Sequence, residues 1–456
     1  MSGMFETFRN AFKIPELRAK LLFTLIILVL YRLGAAIPVP FIDSQMMQTL
    51  FESQGDTIFG YLNILSGDAF SKATLFALSI SPYITASIVM QLLTIAIPAL
   101  EKLQKSGEDG KKKITQITRY VTVALGLITG YGYYMTCRNY GLVKNTGLFA
   151  GIVIVACYSA GSALIMWLGE KINEKGIGNG ISMILFANIV SRLPSSAISQ
   201  IQGIYTSISK GTATAGGVIL DIVKIVVILA IAIVIVAFVV YMSNAERRIP
   251  VQYSKRVVGR KMYGGQSTYL PMKVNMSGVM PIIFASSMVS IPITIITFLN
   301  KNPGGIPLAT GDNAQPVLNF LYRLLGTTSP VYIVLEFALI IAFSYFYISI
   351  SFNPLEVSNN LMKNGGNIPG IRPGRPTTDF ITKILNRIVL IGGLFLAVIA
   401  VFPLIVNSIS TALQLGNLSS IAFGGSSLLI VVGVALETTK EIEAQMTMRH
   451  YKGFLE

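Results

Sequence analysis

The amino-acid sequence predicts an all-α polytopic membrane protein with ten transmembrane helices in two pseudo-symmetric inverted halves of five. Three observations carry that expectation. The 456-residue chain is 52% hydrophobic and only 12% charged, whereas soluble domains are about one quarter charged. Its long apolar runs recur near the roughly 20 residues a helix needs to cross the hydrocarbon core. In lipid the backbone must satisfy its own hydrogen bonds, which selects helices. Finally, the basic residues collect in alternate links between the runs, the mark of cytoplasmic links.

The runs place the spans at about 20–37, 74–97, 117–136, 148–168, 180–193, 217–241, 276–298, 329–350, 385–407 and 426–438. Arg9, Lys13, Arg18 and Lys20 precede the first run and give it the look of a signal peptide. Further spans follow, and Tyr31 and Arg32 interrupt the run before Pro38, so the segment reads as a retained first helix. Spans five and ten are short: their apolar stretches, 181–190 and 426–436, end at Ser191–Arg192 and at Glu437. Neither is suited to face lipid alone across a bilayer.

With both termini cytoplasmic, 27 of the 36 basic residues lie inside and eight outside, and Arg32 falls within span one. That bias sets an N-in, C-in orientation. It also explains the net charge of +15 without nucleic acid, because the cations sit in links rather than across globular domains. The expected organisation is a cytoplasmic segment 1–19, an N-terminal half 20–193, an external linker 194–216, a C-terminal half 217–438 and a cytoplasmic tail 439–456. Between spans one and two, residues 61–70 are moderately apolar but only one or two turns long, which fits a short re-entrant or plugging segment.

SISPYI at 79–84 and GVMPII at 278–283 each place an isoleucine two residues after a proline, in spans two and seven. The short spans five and ten also correspond. Such matched features point to an inverted repeat with a pathway along its interface, although two proline-containing helices can match by chance.

Enzymatic signals are lacking. There is no HExxH, P-loop, GxSxG or paired intramembrane carboxylate, His450 lies in the polar tail, and Cys137 and Cys157 form no CxxC pair. No cofactor or metal is expected. Glu336, near the middle of span eight, is either a structural partner or a functional group. Ile84 and Ile88 share one face of span two, and Leu185 and Ile189 repeat that spacing on span five. With Ile283 and Ile430 they form either a constriction that water does not wet or ordinary core. Ser87, Gln91 and Thr94 on span two and Ser286, Ser290 and Thr294 on span seven make two polar stripes, suited to a weakly held seam or to bonds with their own preceding turns.

The internal link 243–273 carries seven basic residues and one acidic one, Glu246, and alternates basic with β-forming residues between Pro250 and Gly264–Gly265, the pattern of a projecting hairpin. The second long internal link, 352–383, contains GGNIPGIRPGRPT, whose glycines and prolines impose turns. Both either anchor the cytoplasmic side or dock a partner.

Over nearly its whole length the sequence resembles the SecY/Sec61-alpha family. The resemblance is carried by SPYITASIVMQLL at 81–93, EKLQKSGEDGKKKITQITRY at 101–120, EKGIGNGISMILFANIV at 174–190, ERRIPVQY at 246–253, YLPMKVNMSGVMPIIFASS at 269–287, NPLEVSNNLMKNGG at 353–366 and IPGIRPG at 368–374. Ser79 stands where relatives commonly have glycine. The resemblance implies a central channel subunit that conducts unfolded secretory polypeptides and releases transmembrane segments sideways into lipid.

Its pore ring would be Ile84, Ile88, Leu185, Ile189, Ile283 and Ile430, its plug would lie near 61–70, and its lateral gate would run between spans two and three on one side and seven and eight on the other. Partner-binding residues would be Arg260, Lys261 and Arg372, with Lys261 replacing one of a common arginine pair and lacking its rigid fork. The implied partners are SecE-type and SecG-type small membrane subunits, the SecA translocating ATPase, the ribosome, signal peptides and the bilayer itself. A solute transporter, favoured by inverted repeats, lacks coupling carboxylates, and an intramembrane enzyme lacks a nucleophile with its base.

Overall fold

The computed structural model describes residues 9–53, 63, 66–144, 147–209, 215–253, 256–258, 261–263, 267–299, 315–326, 329–412 and 425–452. Helix α1 (Pro15–Gly34) buries Leu17, Thr24, Ile27, Tyr31 and Gly34, a single stripe at helical spacing. Its opposite side exposes Leu22, Leu25, Ile26, Val29 and Leu33, an apolar face that only lipid would solvate. At its end Gly34 lies under the Phe76 ring, where a Cβ would collide, and that ring stacks on Tyr31 with centroids 5.3 Å apart. Helix α2 (Ser44–Ser53) follows.

The expected second span is two things. Thr74 bridges to Pro38, residues 75–80 form turns, and helix α3 starts only at Ser81 and runs to Ala96. The late start has a backbone cause: Ser79 sits at φ +51°, a left-handed conformation that explains why glycine suits this place, and Pro82 then favours the first helical turn. Upstream, Leu75 N–H donates to the Ile37 carbonyl at 2.9 Å. At the other end Pro98 holds Ile97 extended, and α4 (Pro98–Lys105) leaves at 101° to α3.

Helices α5 (Glu108–Asn139) and α6 (Leu148–Lys175) pack closely because Gly126 and Gly130 of α5 face Ser159, Tyr158 and Val155 of α6, small residues that let backbones approach. Helix α7 (Gly180–Ser209) does not stop near 193. Pro194 removes one helical hydrogen bond without ending the helix, so much of the stretch expected as an external linker is helical. Helix α8 (Ala215–Asn244) leads into β1 (Glu246–Tyr253), β2 (Arg256–Val258), β3 (Lys261–Tyr263) and β4 (Ser267–Lys273).

β1 and β4 pair antiparallel from Glu246↔Lys273 to Gln252↔Ser267, and β2 and β3 close the tip with Arg256 opposite Tyr263. The expected hairpin is therefore present, but it is larger than expected. After α9 (Met280–Leu299), α10 (Pro316–Leu325), α11 (Pro330–Ser351) and α12 (Pro354–Lys363), strand β5 (Gly366–Asn367) adds to β1 at Gln252↔Asn367. The two internal links thus form one sheet of order β4-β1-β5. Ile249, Val251, Met272 and Ile368 pack it onto Ile348 of α11 and onto Ile381, Leu385 and Ile388 of α13 (Arg375–Ala412). Helix α14 (Gly425–Lys452) runs well into the expected polar tail, where Glu441 accepts from the Gly178 N–H at 3.0 Å.

Among the described residues, 148–175, 330–363 and 375–406 carry helices long and apolar enough to cross a membrane, and the bent α3–α4 pair adds a fourth. Residues 180–192, 230–244 and 280–296 carry shorter apolar helices. The protein is a largely helical, polytopic membrane protein.

Candidate functional site

Four helices contribute the six expected pore-ring residues to the buried apolar core. Ile84 and Ile88 of α3, Leu185 and Ile189 of α7, Ile283 of α9 and Ile430 of α14 are all at most 5% exposed, and all six belong to one contiguous apolar cluster. On α3 and α7 the four-residue spacing turns both side chains the same way. On α14 the isoleucine is delivered by GGSSLLIV, whose helix begins at Gly425. Ala69, in the expected plugging segment, belongs to the same cluster. Residues 61, 62, 64 and 65 of that segment lie outside the described residues.

The polar stripes lie on neighbouring helices, since α3 packs on α9 and α9 on α11 and α5. Their hydrogen bonds mostly run along their own helices. Gln91 donates to Ser87 at 3.4 Å, Thr94 to the Gln91 carbonyl at 2.7 Å, Ser290 to the Ser287 carbonyl at 2.8 Å and Thr294 to the Ser290 carbonyl at 2.8 Å. Hydroxyls in apolar helices commonly find these acceptors first. Ser286 differs: its hydroxyl donates to Glu336 Oε1 of α11 at 3.1 Å. Glu336 is buried, and its other oxygen has no hydrogen-bond partner among the described residues. The structural pairing of Glu336 is thus present.

Of the expected docking residues, Arg372 is exposed on the turn before α13, Lys261 begins β3 and Arg260 lies outside the described residues. Elsewhere the bundle holds contacts that residue patterns did not reveal. Arg119 of α5 grips Glu170 of α6 through Nε at 3.0 Å and Nη2 at 2.8 Å, and Thr24 of α1 accepts from the Ile177 N–H at 3.1 Å. These pairings join distant parts of the chain, and no local spacing announces them. Among the described residues no group of three His, Cys, Asp or Glu side chains could hold a metal ion.

A polytopic helical bundle whose buried apolar core draws on helices from both halves of the chain, with a small sheet built from its two long polar links, has the architecture of a membrane transport protein. The SecY family profile matches residues 74–439, and the chain belongs to that family. It is 44% identical to the protein translocase subunit SecY of Streptomyces galbus over 99% of this chain and 100% of that relative, and 41% identical to that of Mycobacterium tuberculosis with the same coverage.

Its fold is similar to that of a solved protein conducting channel, with a TM-score of 0.65 and 17% identity over 96% of each chain. It is also similar to a SecY protein whose plug domain stabilises the closed state of the translocation channel and maintains a membrane seal, with a TM-score of 0.64 and 18% identity over 96% of each chain. A third likeness is to Sec61 in a canine ribosome-channel complex from the endoplasmic reticulum, with a TM-score of 0.63 and 17% identity over 96% of each chain.

Proposed function

We propose that this chain is the central pore-forming subunit of a prokaryotic protein translocase, conducting unfolded polypeptides across the plasma membrane and releasing transmembrane segments sideways into lipid. The observation that carries this reading is the convergence of Ile84, Ile88, Leu185, Ile189, Ile283 and Ile430 in one buried cluster, in a chain that aligns with SecY subunits over nearly its full length. The protein performs no covalent chemistry and supplies the passage only.

In this reading ten helices span the membrane as two inverted halves, with both termini cytoplasmic. The six apolar side chains form a gasket one layer thick. Branched apolar groups offer no sequence-specific bonds to a varied substrate, and a narrow apolar constriction resists wetting and so resists ions when idle. The plug lies at 61–70. The gate opens between α3 and α5 on one side and α9 and α11 on the other, along the stripes Ser87, Gln91, Thr94 and Ser286, Ser290, Thr294. Because most of those hydroxyls bond within their own helices, parting the seam breaks few bonds.

The two long basic links, through Arg260, Lys261 and Arg372, dock the SecA-type ATPase and the ribosome. SecE-type and SecG-type subunits complete the complex, and signal peptides open it. The test is crosslinking of a stalled secretory chain in membranes, with photoreactive probes at Ile88 and Ile283. Adducts at both positions are expected, and export that proceeds with no adduct at either overturns the reading.

A further inference from the structure

The turn at 66–70 is fastened to three helices by polar contacts that an apolar seal does not need. Gly67 at φ +63° and Asp68 at φ +68° are both left-handed, a conformation that a non-glycine residue enters at a cost and keeps only where its surroundings hold it. The Gly67 backbone lies on α7, where a Cβ would stand 3.1 Å from the Asn188 Cα. Beside it the Asp68 carboxylate pairs with Arg192 of α7, Oδ1 to Nε at 2.9 Å, and accepts from Asn63 Nδ2 at 3.1 Å. Arg32 of α1 donates to the Gly67 carbonyl at 3.4 Å, and Tyr133 of α5 donates to the Phe70 carbonyl at 2.8 Å.

Two features set the ion pair apart from the rest. Both side chains are 27% exposed, so the pair can part without opening the apolar core, whereas the Tyr133 contact is buried. Arg192 also follows Ile189 by three residues on α7, and such residues are neighbours on a helix surface. A chain that pushes Leu185 and Ile189 outward therefore moves the helix face to which Asp68 is bound. Ala69, next to Asp68, already packs in the waist cluster.

We propose that the Asp68–Arg192 ion pair is a latch that holds the 66–70 turn against the waist, and that its strength sets how strong a signal sequence must be to open the channel. The proposal rests on the translocase reading above. Asp68 and Arg192 are positioning residues: they hold the turn and do not grip the passing chain.

The test uses the assembled channel with its small subunits in proteoliposomes, supplied with the translocating ATPase and ATP for the export measurements, comparing the parent with Asp68→Asn, Arg192→Gln and Arg192→Lys. Resting efflux of a small solute is expected to rise roughly three- to tenfold in Asp68→Asn and Arg192→Gln, the span of a partly screened charge-assisted bond. Both variants are also expected to export substrates with weakened signal sequences. Arg192→Lys, which keeps a cation, is expected to stay close to the parent. Raising ionic strength should loosen the parent, since screening weakens an exposed pair, and leave Arg192→Gln unchanged.

Export of a substrate with an intact signal sequence by the parent, measured in the same vesicles, reports on the translocase reading by itself. Where the parent exports, variants as tight and as selective as the parent overturn the latch alone, as does a salt response that persists in Arg192→Gln. A parent that exports nothing overturns both.

Discussion

Ser286 of α9 donates its hydroxyl to Glu336 Oε1 of α11 at 3.1 Å, tying these two helices together. A buried acceptor deprived of its donor loses the bond and keeps the desolvation cost, about 1–3 kcal/mol. Ser286→Ala should therefore destabilise the purified complex by roughly that amount, read as a lower midpoint in thermal unfolding. Glu336→Gln retains an acceptor oxygen in the same place and should cost less than Ser286→Ala. Equal losses in the two variants would remove the hydrogen bond as the cause.

The six waist residues differ in kind from ordinary core if they seal rather than merely pack. Replacing Ile84, Ile88 and Ile283 together with serine lines a narrow passage with hydroxyls, and the resting channel should conduct ions several-fold better than the parent. Trimming Ile88 to valine keeps the lining apolar and costs only about 0.5–1.5 kcal/mol of stability, so its resting conductance should match the parent. Single-channel recordings in planar bilayers separate the two, and an ion-tight triple variant would remove the gasket.

How much of this was legible before the fold was known depends on the range of the forces involved. The faces of Ile84 and Ile88, and of Leu185 and Ile189, follow from helical period alone, and the break at Ile97 follows from Pro98. The true start of α3 was hidden because Ser79 adopts a left-handed backbone that no side-chain pattern marks. Helices α7 and α14 outran their expected ends because hydropathy stops where the polar part of a helix begins. Strand β5 is two residues long, and only its pairing with Gln252 and Tyr253 makes it a strand. Asp68 and Arg192 meet only once the turn has folded onto α7, so neither predicts the other.

Asp43 offers a pH-dependent test outside the membrane. Its Oδ1 accepts from the Met46 and Gln45 backbone N–H groups at 3.2 and 3.1 Å, capping α2, and Lys144 lies 3.5 Å from Oδ2. The Met46 amide first, then Lys144 and Gln45, hold its carboxyl below the ordinary value of 3.8. A depressed folded value means that the cap is fully present above 3.8 and is lost as pH falls through the lower, folded value. Hydrogen exchange at the Met46 amide, corrected for the intrinsic pH dependence of exchange, should stay protected down to that range and then open. In Asp43→Ala, protection should be weaker and no longer follow the carboxyl's titration.

Arg372 sits on a turn whose shape owes nothing to its charge. Gly370 and Gly374 take φ +81° and +97° on either side of Arg372, Pro373 follows Arg372 directly, and the Arg372 carbonyl accepts from Thr377 Oγ1 at 2.8 Å. Reversing the side chain in Arg372→Glu should leave that backbone, and membrane insertion, as they are. Exposed charges at an interface act mainly on association rate and salt dependence, so affinity for the ribosome or the translocating ATPase should fall about three- to tenfold at low ionic strength and converge with the parent's as salt is raised. Combining the change with Arg260→Glu should deepen the loss if both residues serve the proposed docking surface. Binding measured at two salt concentrations decides the matter: an affinity unmoved by both reversals at low salt would take Arg260 and Arg372 out of the docking surface.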